Sequence, residues 1–252
     1  MIDFEPLARF GLLLVRPGML VAVAPLFGGT FAPPLVKIGL TTLIALTLLP
    51  VVALPAPGNG VGLSSLVVHE AAIGLALGFA LRALVAGAEF AGHLAGFQLG
   101  FTYAGLVDPQ TGARNSVLSS LYGTLALLVA FLINAHHDFL RALALSYDAM
   151  PVSAGHVAAS LGALVARTLG VVFVIGVRIA APVVVVLLIV ELALGLLSRA
   201  APSLNIMVQG FSIRLIFGLL ALAATLRVVP VVVRSAMPNV LQLAGELAAA
   251  FR

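Results

Sequence analysis

The feature that most constrains the fold is a series of long apolar blocks that run almost the whole length of the chain. They cover residues 7–31, 35–54, 63–106, 117–135, 157–197 and 207–251. Hydrophobic residues make up 62% of the 252 residues and charged residues only 9%, whereas soluble domains are about 45–50% apolar and about 25% charged. Water is therefore not the main solvent of this surface.

The apolar blocks predict an all-α, polytopic membrane protein. Hydrocarbon admits only helices and closed barrels, and the blocks lack the short alternation of barrel strands. Polar, proline-containing breaks at residues 55–60, 108–112, 150–153 and 201–203 divide the chain into helical hairpins. We also expect prolines to kink or break helices, because each removes a backbone donor. These prolines are Pro17, Pro25, Pro33, Pro34, Pro182 and Pro230.

Charged residues inside the apolar blocks argue against simple lipid-facing spans. A helix needs roughly 20 mostly apolar residues to cross a bilayer. Residues 40–54, with their flanks, and 116–134 come near this, whereas charge-free stretches in the later blocks last only about three helical turns. An arginine at the bilayer centre costs at least about 2.5–3.5 kcal/mol. We therefore expect the later helices to pack against other protein. The interrupting residues are Arg82, Glu89, Arg178, Glu191, Arg214, Arg227 and Arg234.

Composition and motifs give no support to an enzyme, a cofactor or nucleic acid as a partner. The chain has no cysteine, and its net charge of +4 rests on cations too scattered for a nucleic-acid stripe. His136, His137 and Asp138 invite a metal hypothesis, but helical neighbours point about 100° apart and further ligands would be needed. A polar helix end is the preferred interpretation. Asp3 and Glu5 precede the first apolar block, so we read the first helix as retained and not as a signal peptide.

Two further patterns concern carboxylates and glycines. We interpret Glu70 as a residue near a helix start that suits the helix dipole, with a proton-relay role left open for Glu70, Glu89 and Glu191. The alternative for these carboxylates is pairing with Arg82 or Arg178. Small residues spaced four apart let helix backbones touch, so the glycine row predicts a close helix interface. The row comprises Gly74, Gly78, Gly87, Gly92, Gly96 and Gly100.

Three blocks resemble the FliR/SctT family, the R (injectisome T) subunits of type III protein export gates. The first is RPGMLVAVAPLFGGTFAPPLVKIGL at residues 16–40. The second contains GFQLGFTYAGLVDPQTG at 96–112 and LINAHHDFLRAL at 132–143, and the third is PSLNIMVQGFSIRLIFGL at 202–219. The positions that carry the family pattern and its helix packing are Arg16, Pro25, Lys37, Gly96, Gly100, Pro202, Asn205, Gly210 and Arg214.

The resemblance implies one export-gate domain over residues 1–252, with a P-like half at about 1–150 and a Q-like half at about 151–252. It implies assembly with five P and four Q subunits in the bacterial inner membrane, contact with a B-type switch subunit, and passage of unfolded protein substrates through the pore. The flagellar basal body is the expected location, because the DPQTG turn and the HH-bearing helix look closer to the flagellar branch. An injectisome T subunit is the alternative within the family.

The resemblance also implies a plug in the pore lumen, formed by the loop after the glycine-rich helix. An ordinary polar turn is the competing interpretation. Outside the family, a small-solute or ion transporter would also explain intramembrane charges and broken helices, and an intramembrane enzyme using His136 and His137 is a more distant alternative. The predicted plug residues are Val107, Asp108, Pro109, Gln110, Thr111, Gly112, Ala113, Arg114 and Asn115.

Overall fold

The computed structural model describes residues 5–27, 32–52, 63–100, 117–152, 161–201 and 206–251. Every regular element within these ranges is an α-helix, so the predicted all-α, polytopic fold is confirmed. The helices are α1 (Glu5–Val23), α2 (Pro34–Leu48), α3 (Leu63–Gln98), α4 (Val117–Leu132), α5 (Ala135–Ala149), α6 (Leu161–Ala200) and α7 (Ile206–Ala249).

Three of these helices are long and apolar enough to cross a membrane. They are α3 with 36 residues, α6 with 40 and α7 with 44. Charges therefore do not prevent these helices from being candidate spans, because each contains an 18-residue stretch that is sufficiently apolar even with up to two charged residues in it.

The second helix corrects the expected span over residues 40–54. Helix α2 begins earlier, at Pro34, and ends at Leu48 after 15 residues, which gives it a length of about 22 Å at 1.5 Å per residue. This length is shorter than a hydrocarbon core of about 30 Å. Helix α2 packs against α1 but buries only Ile44 and Ala45 among its own residues.

Prolines mark some helix boundaries but do not break the helices that contain them. Pro25 follows the end of α1, and α2 begins at Pro34, whereas Pro17, Pro182 and Pro230 lie inside continuous helices. The bend of 71° between α4 and α5 contains no proline. It occurs at Asn134, whose φ of 59° and ψ of 29° place it in the left-handed region, which asparagine tolerates better than most residues. None of these three prolines ends its helix, and the predicted kinks at them stay a prediction.

Packing divides the chain into two compact units. The first comprises Met1–Leu84, Ala130–Val171 and Ala236–Arg252, and the second comprises Val85–Val129 and Val172–Ser235. Four helices, α3, α4, α6 and α7, contribute residues to both units. The P-like and Q-like halves stay a prediction. The two units are defined by contacts within this chain, and such contacts do not show whether either half resembles a P or a Q subunit.

Several glycines of the predicted row on α3 make close contacts with neighbouring helices, as the sequence predicts. In the first unit, a Cβ at Gly74 would collide with the carbonyl oxygen of Arg16, and one at Gly78 would lie 3.1 Å from the Cβ of Val23. In the second unit, a Cβ at Gly87 would lie 2.8 Å from the Cβ of Ile175. Larger side chains would push the neighbouring helices away from α3.

Candidate functional site: a buried ion pair and two exposed helices

The most elaborate polar site in the first unit is built around Arg16 of α1 and Glu70 of α3. Arg16 Nε donates to Glu70 Oε2 at 2.8 Å, and its Nη2 donates to Oε1 at 2.7 Å. Both side chains have no exposed surface. This two-bond geometry is the one in which a planar guanidinium matches a carboxylate best, and it offsets part of the cost of burying both charges.

Helix α5 completes the site. Arg16 Nη1 donates to Ser146 Oγ at 2.9 Å, and Nη2 donates to the carbonyl oxygen of Met150 at 3.0 Å. The guanidinium carbon also lies 4.0 Å from the centre of the Tyr147 ring, a cation–π contact. We call these five residues the Arg16 cluster. Four of the five guanidinium N–H groups are thus used, and the cluster joins α1, α3 and the end of α5.

The cluster corrects the interpretation of Glu70 as a helix-start residue. Helix α3 begins at Leu63, two turns before Glu70, and has no acidic residue in its first turn. The partner of Glu70 is Arg16 and not Arg82 or Arg178. The sequence did contain a signal, because Arg16 and Glu70 are both isolated charges within apolar blocks. The contributions of Ser146, Tyr147 and the Met150 carbonyl depend on the 71° bend before α5, which the sequence pattern does not predict.

The second unit carries polar contacts of another kind. Tyr122 of α4 and Thr225 of α7 share a buried hydrogen bond between their hydroxyl groups. Glu191 of α6 forms an ion pair with Arg214 of α7, with 3.2 Å between Oε1 and Nη2, and 41% and 36% of the two side chains are exposed. The Nε of Arg214 is buried and has no hydrogen-bond partner among the described residues. This ion pair is therefore only half covered.

Helices α6 and α7 present broad apolar surfaces. Within their most apolar stretches only 33% of the residues are buried, compared with 67% in α3. The exposed residues include Leu192 and Leu196 on α6, at 62% and 70%, and Leu220 and Val231 on α7, at 64% and 67%. Such surfaces are stable only against lipid or other protein.

The other residues predicted from the family pattern do not form one cluster. Pro25 lies in the turn after α1, and Lys37 lines a groove between α1 and α2. Gly96 is buried in α3, and Gly100 follows that helix with a φ of 82°. Gly210 is buried in α7, where a Cβ would meet Leu194 Cδ1 at an ordinary 3.4 Å. The family residues Pro202 and Asn205 lie outside the described residues. So does the whole predicted plug, which comprises Val107, Asp108, Pro109, Gln110, Thr111, Gly112, Ala113, Arg114 and Asn115.

The histidine pair lies in the first turn of α5, next to Asp138. The His136 and His137 rings lie 4.2 Å apart, centre to centre, and the His136 ring contacts Phe131 at 5.4 Å. Asp138 is 3.9 Å from Arg141 in an exposed ion pair. Across the described ranges, no three His, Cys, Asp or Glu side chains are grouped so as to hold a metal ion.

Comparisons with known proteins agree over most of the chain. The family described as bacterial export proteins, family 1, matches residues 7–240. A protein of Pectobacterium carotovorum subsp. carotovorum is 32% identical over 92% of this chain and 90% of its own length. Proteins of Bacillus subtilis (strain 168) and Escherichia coli (strain K12) are 30% and 32% identical, over 97% and 84% of this chain and 98% and 81% of their own lengths. Each is named flagellar biosynthetic protein FliR.

Proposed function

We propose, from the premise that the chain belongs to family 1 of the bacterial export proteins, that it is the R subunit of the flagellar type III protein export gate. The relatives named above are flagellar biosynthetic proteins, and the chain is accordingly a membrane-embedded component of the flagellar export apparatus. In this role it helps to build a conduit for protein substrates. The family is one of export components, and we assign the chain no reaction.

The observation that supports this role is the exposure of α6 and α7. Two-thirds of the residues in their most apolar stretches are not buried, and the half-covered ion pair of Glu191 with Arg214 lies between the two helices. Lipid could cover the apolar side chains but not a carboxylate and a guanidinium without cost. A neighbouring subunit can cover both, since it can supply apolar side chains and hydrogen-bonding groups together.

The finer features of the role are part of the proposal. We propose that the neighbours are the P and Q subunits, five and four for each copy of this chain, with a B-type switch subunit in contact, and that the complex lies in the inner membrane at the basal body. Unfolded export substrates pass through the pore. The loop over residues 107–115 is the proposed plug of its lumen.

Co-expression with the P and Q subunits of the same organism tests the assembly. A tag on this chain should recover a discrete complex, and native mass spectrometry should give a mass that fits five P, four Q and one R subunit. A tagged chain that is well behaved alone and recovers neither P nor Q would contradict the proposal.

Conductance tests the plug separately. Deletion of residues 110–114 should leave the complex intact in size-exclusion chromatography but raise ion conductance when the complex is reconstituted in bilayers. The undeleted complex is the control. An assembled deletion complex with unchanged conductance would remove the plug assignment and leave the assembly proposal standing.

A small-solute or ion transporter is the second candidate, and one observation favours it. Helices α4 and α5 are joined by a 71° bend at a short break, and transporters often build their substrate sites from such discontinuous helices. Purified chain without P and Q subunits distinguishes the two functions. Saturable uptake of a solute by vesicles that contain only this chain would support the transporter.

A further inference from the structure

Helix α7 carries a stripe of exposed residues within the second unit. Ile216, Leu220 and Val231 are 58%, 64% and 67% exposed, and Arg227 and Arg234 are also exposed. Residues three, four and seven apart share one face of a helix, so the five positions lie along one side of α7. The two guanidinium groups are seven residues apart, which places their Cα atoms about 10.5 Å apart along the helix axis.

Neither arginine of this stripe has an acidic partner among the described residues. Helix α6 contains one carboxylate, Glu191, and it is bonded to Arg214. Helix α7 also contains one, Glu246, and it is bonded to Arg167. The two helices therefore leave no carboxylate of their own for Arg227 and Arg234, and two positive charges remain on an otherwise apolar face.

We propose that this stripe binds an apolar helix of a neighbouring export subunit that carries two acidic residues about two turns apart. The inference rests on the proposed function, and it names the chemistry of the partner at one surface. Apolar side chains of the stripe would pack against the partner helix, and each guanidinium would bind one carboxylate. Helices that cross at a shallow angle stay in contact over two turns, so both pairs can form together.

Charge complementarity is the reason for choosing a helix with carboxylates. A wholly apolar partner would bury two arginines without an anion, which is more costly than leaving them in water. A guanidinium also offers a planar pair of donors that fits a carboxylate. Loss of one arginine of such a covered pair should weaken binding by about tenfold or more.

The first test uses full-length tagged chain co-expressed with the P and Q subunits. The double variant Arg227→Glu, Arg234→Glu should recover at least about a hundredfold less complex than the unchanged chain, because two pairs become repulsive. Arg227→Lys, Arg234→Lys retains both charges and should recover most of the complex. Arg141→Glu is the matched control and should leave the recovery unchanged, since the Arg141 side chain is 79% exposed and lies on α5, not on α6 or α7.

The second test identifies the occupant directly. Benzoylphenylalanine at position 231, between the two arginines, should form a photo-crosslink to a peptide of another subunit that contains acidic residues two turns apart. Benzoylphenylalanine at Leu196 of α6, which is 70% exposed, is the control and should give a different adduct. Reversal of those two acids to lysine should restore complex formation to the Arg227→Glu, Arg234→Glu variant.

Failure of this inference is distinguishable from failure of the assembly. If the unchanged chain forms no complex with P and Q, the proposed function is wrong. If that complex forms but the charge-reversed variant is recovered equally well, the stripe is not the binding surface. Crosslinks at position 231 to lipid alone, or to a helix without acidic residues, would equally overturn the inference.

Discussion

One ion pair in each unit shows two opposite ways of placing charges in an apolar protein. In the first unit, Arg16 and Glu70 are completely buried and the chain itself supplies further hydrogen bonds to the guanidinium. In the second unit, Glu191 and Arg214 are 41% and 36% exposed, and Arg214 keeps a buried Nε without a partner among the described residues. The chain itself covers the first pair and supplies its hydrogen bonds, whereas it leaves the second pair partly exposed.

This difference indicates which surfaces depend on other molecules. A buried ion pair is tolerable only when its hydrogen-bonding groups are used, because each ion has lost its water. The Arg16 cluster meets this condition by bringing three helices together. The α6–α7 surface has apolar residues and charges side by side, and its charges need water or another subunit. This contrast predicts that substitutions in the Arg16 cluster damage the chain itself, whereas those on the exposed α6–α7 surface of the second unit act mainly on assembly.

The largest effect on the chain itself is expected at Arg16. Arg16→Met should lower the stability of the purified chain by about 3–5 kcal/mol, because Glu70 would stay buried without its counter-ion. The measurement is the melting temperature in detergent, followed by size-exclusion chromatography of heated samples. Arg141→Met is the matched control, since the Arg141 side chain is 79% exposed.

The double variant Arg16→Met, Glu70→Met sharpens this test. Removal of both charges leaves no isolated ion, so the double variant should be more stable than Arg16→Met alone. If Arg16→Met melts at the same temperature as the unchanged chain, the claim that the buried Arg16–Glu70 pair stabilises the chain is contradicted.

A smaller effect is expected at the glycine contact beside the cluster. In Gly74→Ala, the new methyl group would meet the Arg16 carbonyl oxygen, and the forced separation of α1 and α3 should cost about 1–3 kcal/mol. Gly170→Ala is the control, because a Cβ at Gly170 has no atom within 4 Å and alanine favours a helix by about 1 kcal/mol. Equal melting temperatures for the two variants would contradict the close contact.

The all-α class and the α3 contacts could be predicted from the sequence because they depend on composition and local spacing. Apolar block length predicts helices, and glycines four apart predict a close interface. The Arg16 cluster could not be predicted, since Arg16 and Ser146 are 130 positions apart and meet only because α5 turns by 71° after Asn134. The continuity of α6 at Pro182 and of α7 at Pro230 could not be predicted either. Neighbouring side chains can hold a helix together across a proline, and a local pattern does not contain that information.

In the second unit, loss of the hydroxyl bond between α4 and α7 should have a modest effect. Tyr122→Phe removes the hydroxyl that binds Thr225, while the Thr225 hydroxyl can still donate to the carbonyl oxygen of Leu222. Because no buried group is left without any partner, the loss should be about 1 kcal/mol. Thr225→Val serves as the reciprocal variant. A loss as large as that of Arg16→Met would show that the second unit is also held by a buried polar contact.

The smallest effect on the isolated chain is expected at Glu191. Glu191→Gln removes an ion pair whose side chains are more than a third exposed, and such pairs contribute about 0–1 kcal/mol because water screens them. The melting temperature of the chain alone should therefore hardly change. In the complex with P and Q subunits the same pair would be covered, and its loss should lower the melting temperature measurably, since covering raises the strength of a charge interaction. Melting curves of the unchanged chain and of Glu191→Gln, each recorded alone and in the complex in the same detergent, measure the two shifts. Equal shifts in the chain and in the complex would mean that no subunit covers this pair. The contrast between an ion pair that is buried within the chain and one that is covered by a neighbour would then be wrong.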